Sequence, residues 1–167
     1  MTVTDVVPDR ETRTLTLTAE YDASVEQVWQ LWADPRLLER WWGPPTYPAT
    51  VQEHDLTPDG RVSYFMTAPD GDRYHGYWRV TAADGPRNLE FEDGFADAEG
   101  RPNEELPVTR TRVTVEDAGD GRTRMVIRSQ FASVEAMDQM TEMGMQEGLR
   151  LAVGQTDALL AAPAGAS

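Results

Sequence analysis

The chain contains no cysteine, which excludes disulfides, thiolate nucleophiles and cysteine-ligated metal together. Lysine is also missing, and all 15 basic residues are arginine. Schiff-base catalysis and the phosphate-binding loop that ends in Gly-Lys-Ser/Thr are thereby removed. No run of about 18 apolar residues occurs. Met1 to Arg10 is polar and acidic, unlike a secretory signal. No membrane association and a cytoplasmic location are expected. Positive charge is scarce overall, with 15 basic residues against 29 acidic ones and a formal net charge of −14. Such a polyanion is repelled by phosphate backbones, so nucleic acid is excluded as a partner. The two histidines, His54 and His75, show no metal-ligand spacing. A metal centre needs three or four converging ligands. No metal and no cofactor are expected. Gly-x-Ser-x-Gly, Gly-x-Gly-x-x-Gly and His-Glu-x-x-His are absent, so no catalytic residue is assigned.

The 167 residues suffice for one globular domain. Residues 1–11 and 163–167 lack periodicity and read as tails, leaving 12–162 as a single domain. Leu15, Leu17, Ala19 and Tyr21 alternate with polar residues as in a half-buried strand. Ser24 with Gln27 forms a capping box that opens a helix. Asp34-Pro35 ends that helix and starts a second, which stops at Gly43-Pro44-Pro45. From Tyr47 to Phe131 the pattern is strands and tight turns, which favours an antiparallel meander. Ser133 then caps a helix whose periodicity runs unbroken to about Ala162. The fold class is α+β. It comprises a curved antiparallel sheet of about six to seven strands, two short helices after the first strand, and a long C-terminal helix.

That order resembles the helix-grip fold of the START/Bet v 1-like (SRPBCC) superfamily. The closer resemblance is to its branch similar to the activator of Hsp90 ATPase (AHSA1-like). It is carried by Ala23 to Pro44, ASVEQVWQLWADPRLLERWWGP, with Val-Trp in the helix, Asp-Pro at the break and Trp-Trp-Gly-Pro at the exit. Pro69-Asp70-Gly71, His75-Gly76 and the terminal helix add to it. The family often has Gly-Trp in the last helix, where this chain has Gly148-Leu149. No counterpart of the N-terminal domain through which eukaryotic Hsp90 activators engage the chaperone is expected, so the resemblance does not bring an activator role with it.

Four of the seven methionines, Met137, Met140, Met143 and Met145, crowd into the last helix beside Gly144 and Gly148. Methionine with glycine makes an adaptable, low-relief surface, and each helical glycine costs about 1 kcal/mol relative to alanine. A helix that leaves room for a ligand explains that expense. The expected function is binding of a small, largely apolar molecule between sheet and helix. Its candidate site is Val51, Glu53, Tyr64, Trp78, Phe91 and Phe95 on the sheet with Met137, Met140, Gly144 and Gly148 on the helix. Glu53 is expected to face inward after Val51, and His54 outward. Trp29, Trp32, Trp41 and Trp42 are expected to be structural.

Two rivals accompany this reading. One is a polyketide cyclase or dehydratase, an activity the superfamily resemblance implies, with Glu53, Tyr64 or Asp93 as acid/base. The other is a chaperone-interaction module working through its acidic surface. A homodimer is compatible with all three. A carboxylate and a tyrosine within hydrogen-bond reach of one point in a cavity favour the enzyme, whereas a filled interior favours the interaction module.

Overall fold

Alternation of buried and half-buried residues builds the sheet. Leu15, Leu17, Ala19 and Tyr21 point inward from one strand, Val113 and Val115 from another, and Met125 and Ile127 from a third. The structure is a computed structural model that describes residues 3–161. Its strands are β1 (Val3–Asp9), β2 (Thr14–Tyr21), β3 (Ala49–His54), β4 (Arg61–Thr67), β5 (Arg73–Asp84), β6 (Asn88–Ala96), β7 (Thr109–Gly119) and β8 (Arg122–Gln130). They form one antiparallel sheet in the order β1-β2-β8-β7-β6-β5-β4-β3. Helices α1 (Val25–Ala33) and α2 (Pro35–Trp41) join β2 to β3, and α3 (Val134–Glu142), α4 (Met145–Gly154) and α5 (Thr156–Ala161) follow β8. None of the described helices is long and apolar enough to cross a membrane.

The helix starts form as their residues require. Ser24 accepts a hydrogen bond from the Gln27 backbone N–H, and the Gln27 side chain accepts one from Ser24 N–H. Asp34 caps α2, with Pro35 as its first residue. Val28, Leu31 and Trp32 of α1 and Leu38 and Trp41 of α2 are buried against the sheet. At the other end of the chain, Gln155 Nε2 donates to the Gly43 carbonyl at 2.8 Å. Thr156 and Tyr21 share a buried hydroxyl contact at 2.8 Å. The C-terminal segment is thus fastened to both β2 and the exit of α2.

Two expectations need correction. Residues 1–11 are not simply a tail, because Val3–Asp9 pairs with β2 and raises the strand count to eight. Its edge position leaves only Val3 and Val6 half-buried, and Pro8 needs no ladder hydrogen bond there. The apolar alternation that marks an inner strand is therefore weak. The C-terminal helix is not continuous: Gly144 adopts φ +87° and splits α3 from α4, and a second break precedes α5. The expected tail 163–167 lies outside the described residues.

The break assigns Gly144 a backbone task, since left-handed φ is strained for a residue with a Cβ. Gly148 has ordinary helical geometry, with open space where a Cβ would stand. Gly144→Ala is expected to destabilise the fold by about 1 kcal/mol, and Gly148→Ala to stabilise it by about 0.5–1 kcal/mol. Urea denaturation of the two variants checks the opposite signs.

Candidate functional site: a cleft between sheet and helices

A cleft of about 590 Å³ opens between the inner face of β4–β6 and the α3–α4 corner. Trp42 and Tyr47 enter it from the segment joining α2 to β3, Tyr64 and Met66 from β4, and Tyr74 from β5. Asp93 and Phe95 come from β6. Met140, Met143, Met145 and Leu149 close it from the helices, with Gly144 and Gly148 among them. Tyr74, Met143 and Leu151 at its rim are among the exposed large apolar side chains. The wall is aromatic on one side and methionine-rich on the other.

One polar group sits deep in this wall. Tyr64 is buried, and its hydroxyl donates to Asp93 Oδ1 at 3.0 Å. Gly76 makes that reach available. It pairs with Tyr64 across β4 and β5, and a Cβ there would lie 2.5 Å from the phenol ring. With no side chain at 76, the ring extends over β5 towards β6. Burial raises the Asp93 carboxyl to about 7, and the hydrogen bond from Tyr64 opposes the rise. Burial, and then the charge on Asp93, pushes the Tyr64 phenol well above its usual range. The indole N–H groups of Trp42 and Trp78 work against that rise, yet both Nε1 atoms are buried without a hydrogen-bond partner among the described residues. Asp93 is therefore the group that can exchange a proton near neutral pH, and Tyr64 holds it in place.

The sequence-predicted residues divide. Tyr64, Phe95, Met140, Gly144 and Gly148 line the cleft. Val51, Trp78 and Phe91 are instead packed into the main core. Met137 is buried with Leu15 and Phe131 in a separate cluster. Glu53 faces solvent, because a bulge between Val51 and Glu53 shifts the β3 register. It hydrogen-bonds Ser63 at 3.0 Å. The same bulge turns His54 inward, where Nε2 lies 2.9 Å from the Trp32 carbonyl. Trp42, expected to be structural, is a cleft wall, and Asp93 moves from an alternative to the centre of the site. The signal for Asp93 was legible as a carboxylate on the inward face after Leu89 and Phe91. Nothing in the sequence pattern signals the reach of Tyr64 over Gly76.

Among the described residues no group of three His, Asp or Glu side chains is arranged to hold a metal. On the opposite sheet face, Arg112 meets Glu90 at 3.0 Å and Arg79 meets Glu92 at 3.2 Å. That is the outward cross-strand pattern expected of exposed arginines.

A curved antiparallel sheet with C-terminal helices over an internal cleft defines a helix-grip protein. The chain belongs to the family described as activator of Hsp90 ATPase homolog 1-like protein, whose model matches residues 22–161. It is similar to protein Ms6760 from Mycobacterium smegmatis, at 52% identity and TM-score 0.88, covering 96% of this chain and 98% of that one. It is likewise similar to a protein from Arthrobacter aurescens, at 50% identity and TM-score 0.92, covering 99% and 96%. A crystal structure of DynU16, a putative protein in the dynemicin biosynthetic locus, shares the fold at 14% identity and TM-score 0.59, covering 86% of this chain and 47% of that one. No curated protein matches the sequence.

Because folding raises the Asp93 pKa, its protonated form favours the native state. That contribution is complete below about pH 4 and is lost as pH rises through about 7. Asp93→Asn is expected to stabilise the protein at pH 8 by roughly 1–3 kcal/mol and to change little at pH 4. Paired urea melts at the two pH values test this, and an equal effect at both would refute the buried-acid assignment.

Proposed function

We propose that the protein binds a small, largely apolar molecule in the cleft between the sheet and the C-terminal helices. The observation that carries this reading is the cleft itself. Its volume of about 590 Å³ falls in the range of small-molecule sites, and its wall joins aromatic rings to methionines around the half-buried Asp93. Leu149, where the family resemblance leads one to expect tryptophan, lines the same space. A chaperone-interaction module would have been favoured by a filled interior, and the open cleft counts against it.

Tyr64 and Asp93 support a second reading, an enzyme of the polyketide cyclase or dehydratase kind. A carboxyl that titrates near neutrality is suited to taking and returning a proton beside a bound carbonyl. Deuterium exchange at the central carbon of an apolar 1,3-diketone, followed by NMR, tests it. Catalysed exchange that disappears in Asp93→Asn supports the enzyme, and exchange at the buffer rate leaves binding alone.

The binding reading makes a sharper prediction at Gly148. Filling its open space with Gly148→Leu is expected to be neutral or stabilising by up to about 1 kcal/mol, while affinity for the neutral dye Nile red falls about tenfold or more. Fluorescence titration and urea denaturation measure the two effects. Unchanged dye affinity in a folded Gly148→Leu protein would sink the cleft as the binding site.

A further inference from the structure

The charges around the cleft are one-sided. Asp93 and Glu147 line it, and among the described residues no arginine or histidine does. Elsewhere the arginines are widely paired with carboxylates, as at Arg79–Glu92, Arg112–Glu90 and Arg36–Glu39. Among the described residues Asp93 has no such partner. Its Oδ1 accepts the Tyr64 hydroxyl, and no described group hydrogen-bonds its second oxygen. Desolvation and the Tyr64 hydrogen bond account for its environment, with no cation contributing. The carboxyl is half-buried with one oxygen open to the cleft, and a carboxylate partly withdrawn from water without a counter-ion is an unfavourable arrangement that a cationic ligand relieves.

We propose that the cleft selects cationic amphiphiles, molecules with an ammonium group on an apolar body, and that Asp93 is the counter-ion of the ammonium. The inference rests on the cleft-binding reading and names its ligand class. The apolar body lies along the methionines of the α3–α4 corner. The ammonium reaches the open oxygen of Asp93 from the cleft, beside the Trp42 and Tyr64 rings, which pack edge-to-face on each other at 6.1 Å. Glu147 from α4 and the net charge of −14 draw cations towards the mouth. An anionic amphiphile of the same length meets repulsion from the same groups, and a neutral one leaves Asp93 unpaired.

Three ligands of equal chain length test this on the full-length protein at pH 7.5 in 0.15 M salt: decylamine, decanol and decanoate, each titrated against bound Nile red. Decylamine is expected to displace the dye at a concentration at least tenfold below that of decanol, with decanoate the weakest. In Asp93→Asn the decylamine-to-decanol affinity ratio is expected to fall to within threefold of unity. Equal displacement by decylamine and decanol in the unaltered protein overturns the inference without any variant. A preference that survives Asp93→Asn overturns it too, by assigning the effect to the acidic surface. If Nile red fails to bind the unaltered protein, the cleft-binding reading falls first and the ligand class with it.

Discussion

The structure depends on the burial of Trp32. Its ring lies edge-on to Trp41 at 4.8 Å between centroids and 5.8 Å from Trp78, so one side chain joins α1, α2 and the sheet. Its indole N–H points to the Met125 sulfur at 3.2 Å, and its backbone carbonyl meets His54. Trp41 completes the knot by donating to the Leu31 carbonyl at 2.9 Å. Large aromatic surfaces dominate core energetics, and offset or edge contacts add to their burial. Because α2 is held this firmly, the residue at its exit, Trp42, is delivered at a fixed angle against Tyr64 and Trp78. The aromatic end of the cleft is therefore a by-product of how the two short helices are anchored.

Strand β6 shows how a core becomes a site. Its inward positions run Leu89, Phe91, Asp93, Phe95, at a period of two. Leu89 and Phe91 are sealed, with Phe91 stacked on Trp78 at 4.0 Å. Two residues further on, the helical cover is interrupted by the turn at Gly144, and the same face carries an acid. Asp93 is tolerated because it stands at the edge of the sealed region, where Tyr64 supplies one hydrogen bond and the cleft leaves the other oxygen open. Placed at 89 or 91, a carboxyl would have neither.

The legible part of the fold was whatever periodicity and capping control. The meander, the capping box at Ser24, the Asp34-Pro35 break and the inward faces of β2, β4, β7 and β8 all follow from local patterns. The misplaced parts have local physical causes as well. A single extra residue in β3 reverses every subsequent side chain, so Glu53 and His54 exchanged faces. The edge strand β1 has too little buried surface to show alternation. The turn at Gly144 was hidden because a glycine costs helix propensity whether it leaves space or bends the chain, and only φ separates the two. Of the site, the helix side was visible in its methionines. The sheet side was visible only as separate residues, since the Tyr64–Asp93 contact depends on a strand between them that has no side chain at Gly76.

That division separates the two properties that, under the proposed binding role, decide what the cleft accepts. Its width is set on the helices, where Gly148 leaves space beside Leu149. Leu149 also packs against both the main core and the cluster of Leu15, Phe131 and Met137, so its size is constrained from behind. Its polarity is set on the sheet, where Asp93 is fixed by Tyr64 and faces no positive side chain. The helical segment is broken by Gly144 and lined with flexible methionines, which repack around different shapes at low cost. The sheet residues are locked in cross-strand register and cannot. Under the proposed binding role, shape selectivity is expected to be permissive and charge selectivity strict, because the adaptable wall carries the volume and the rigid wall carries the acid.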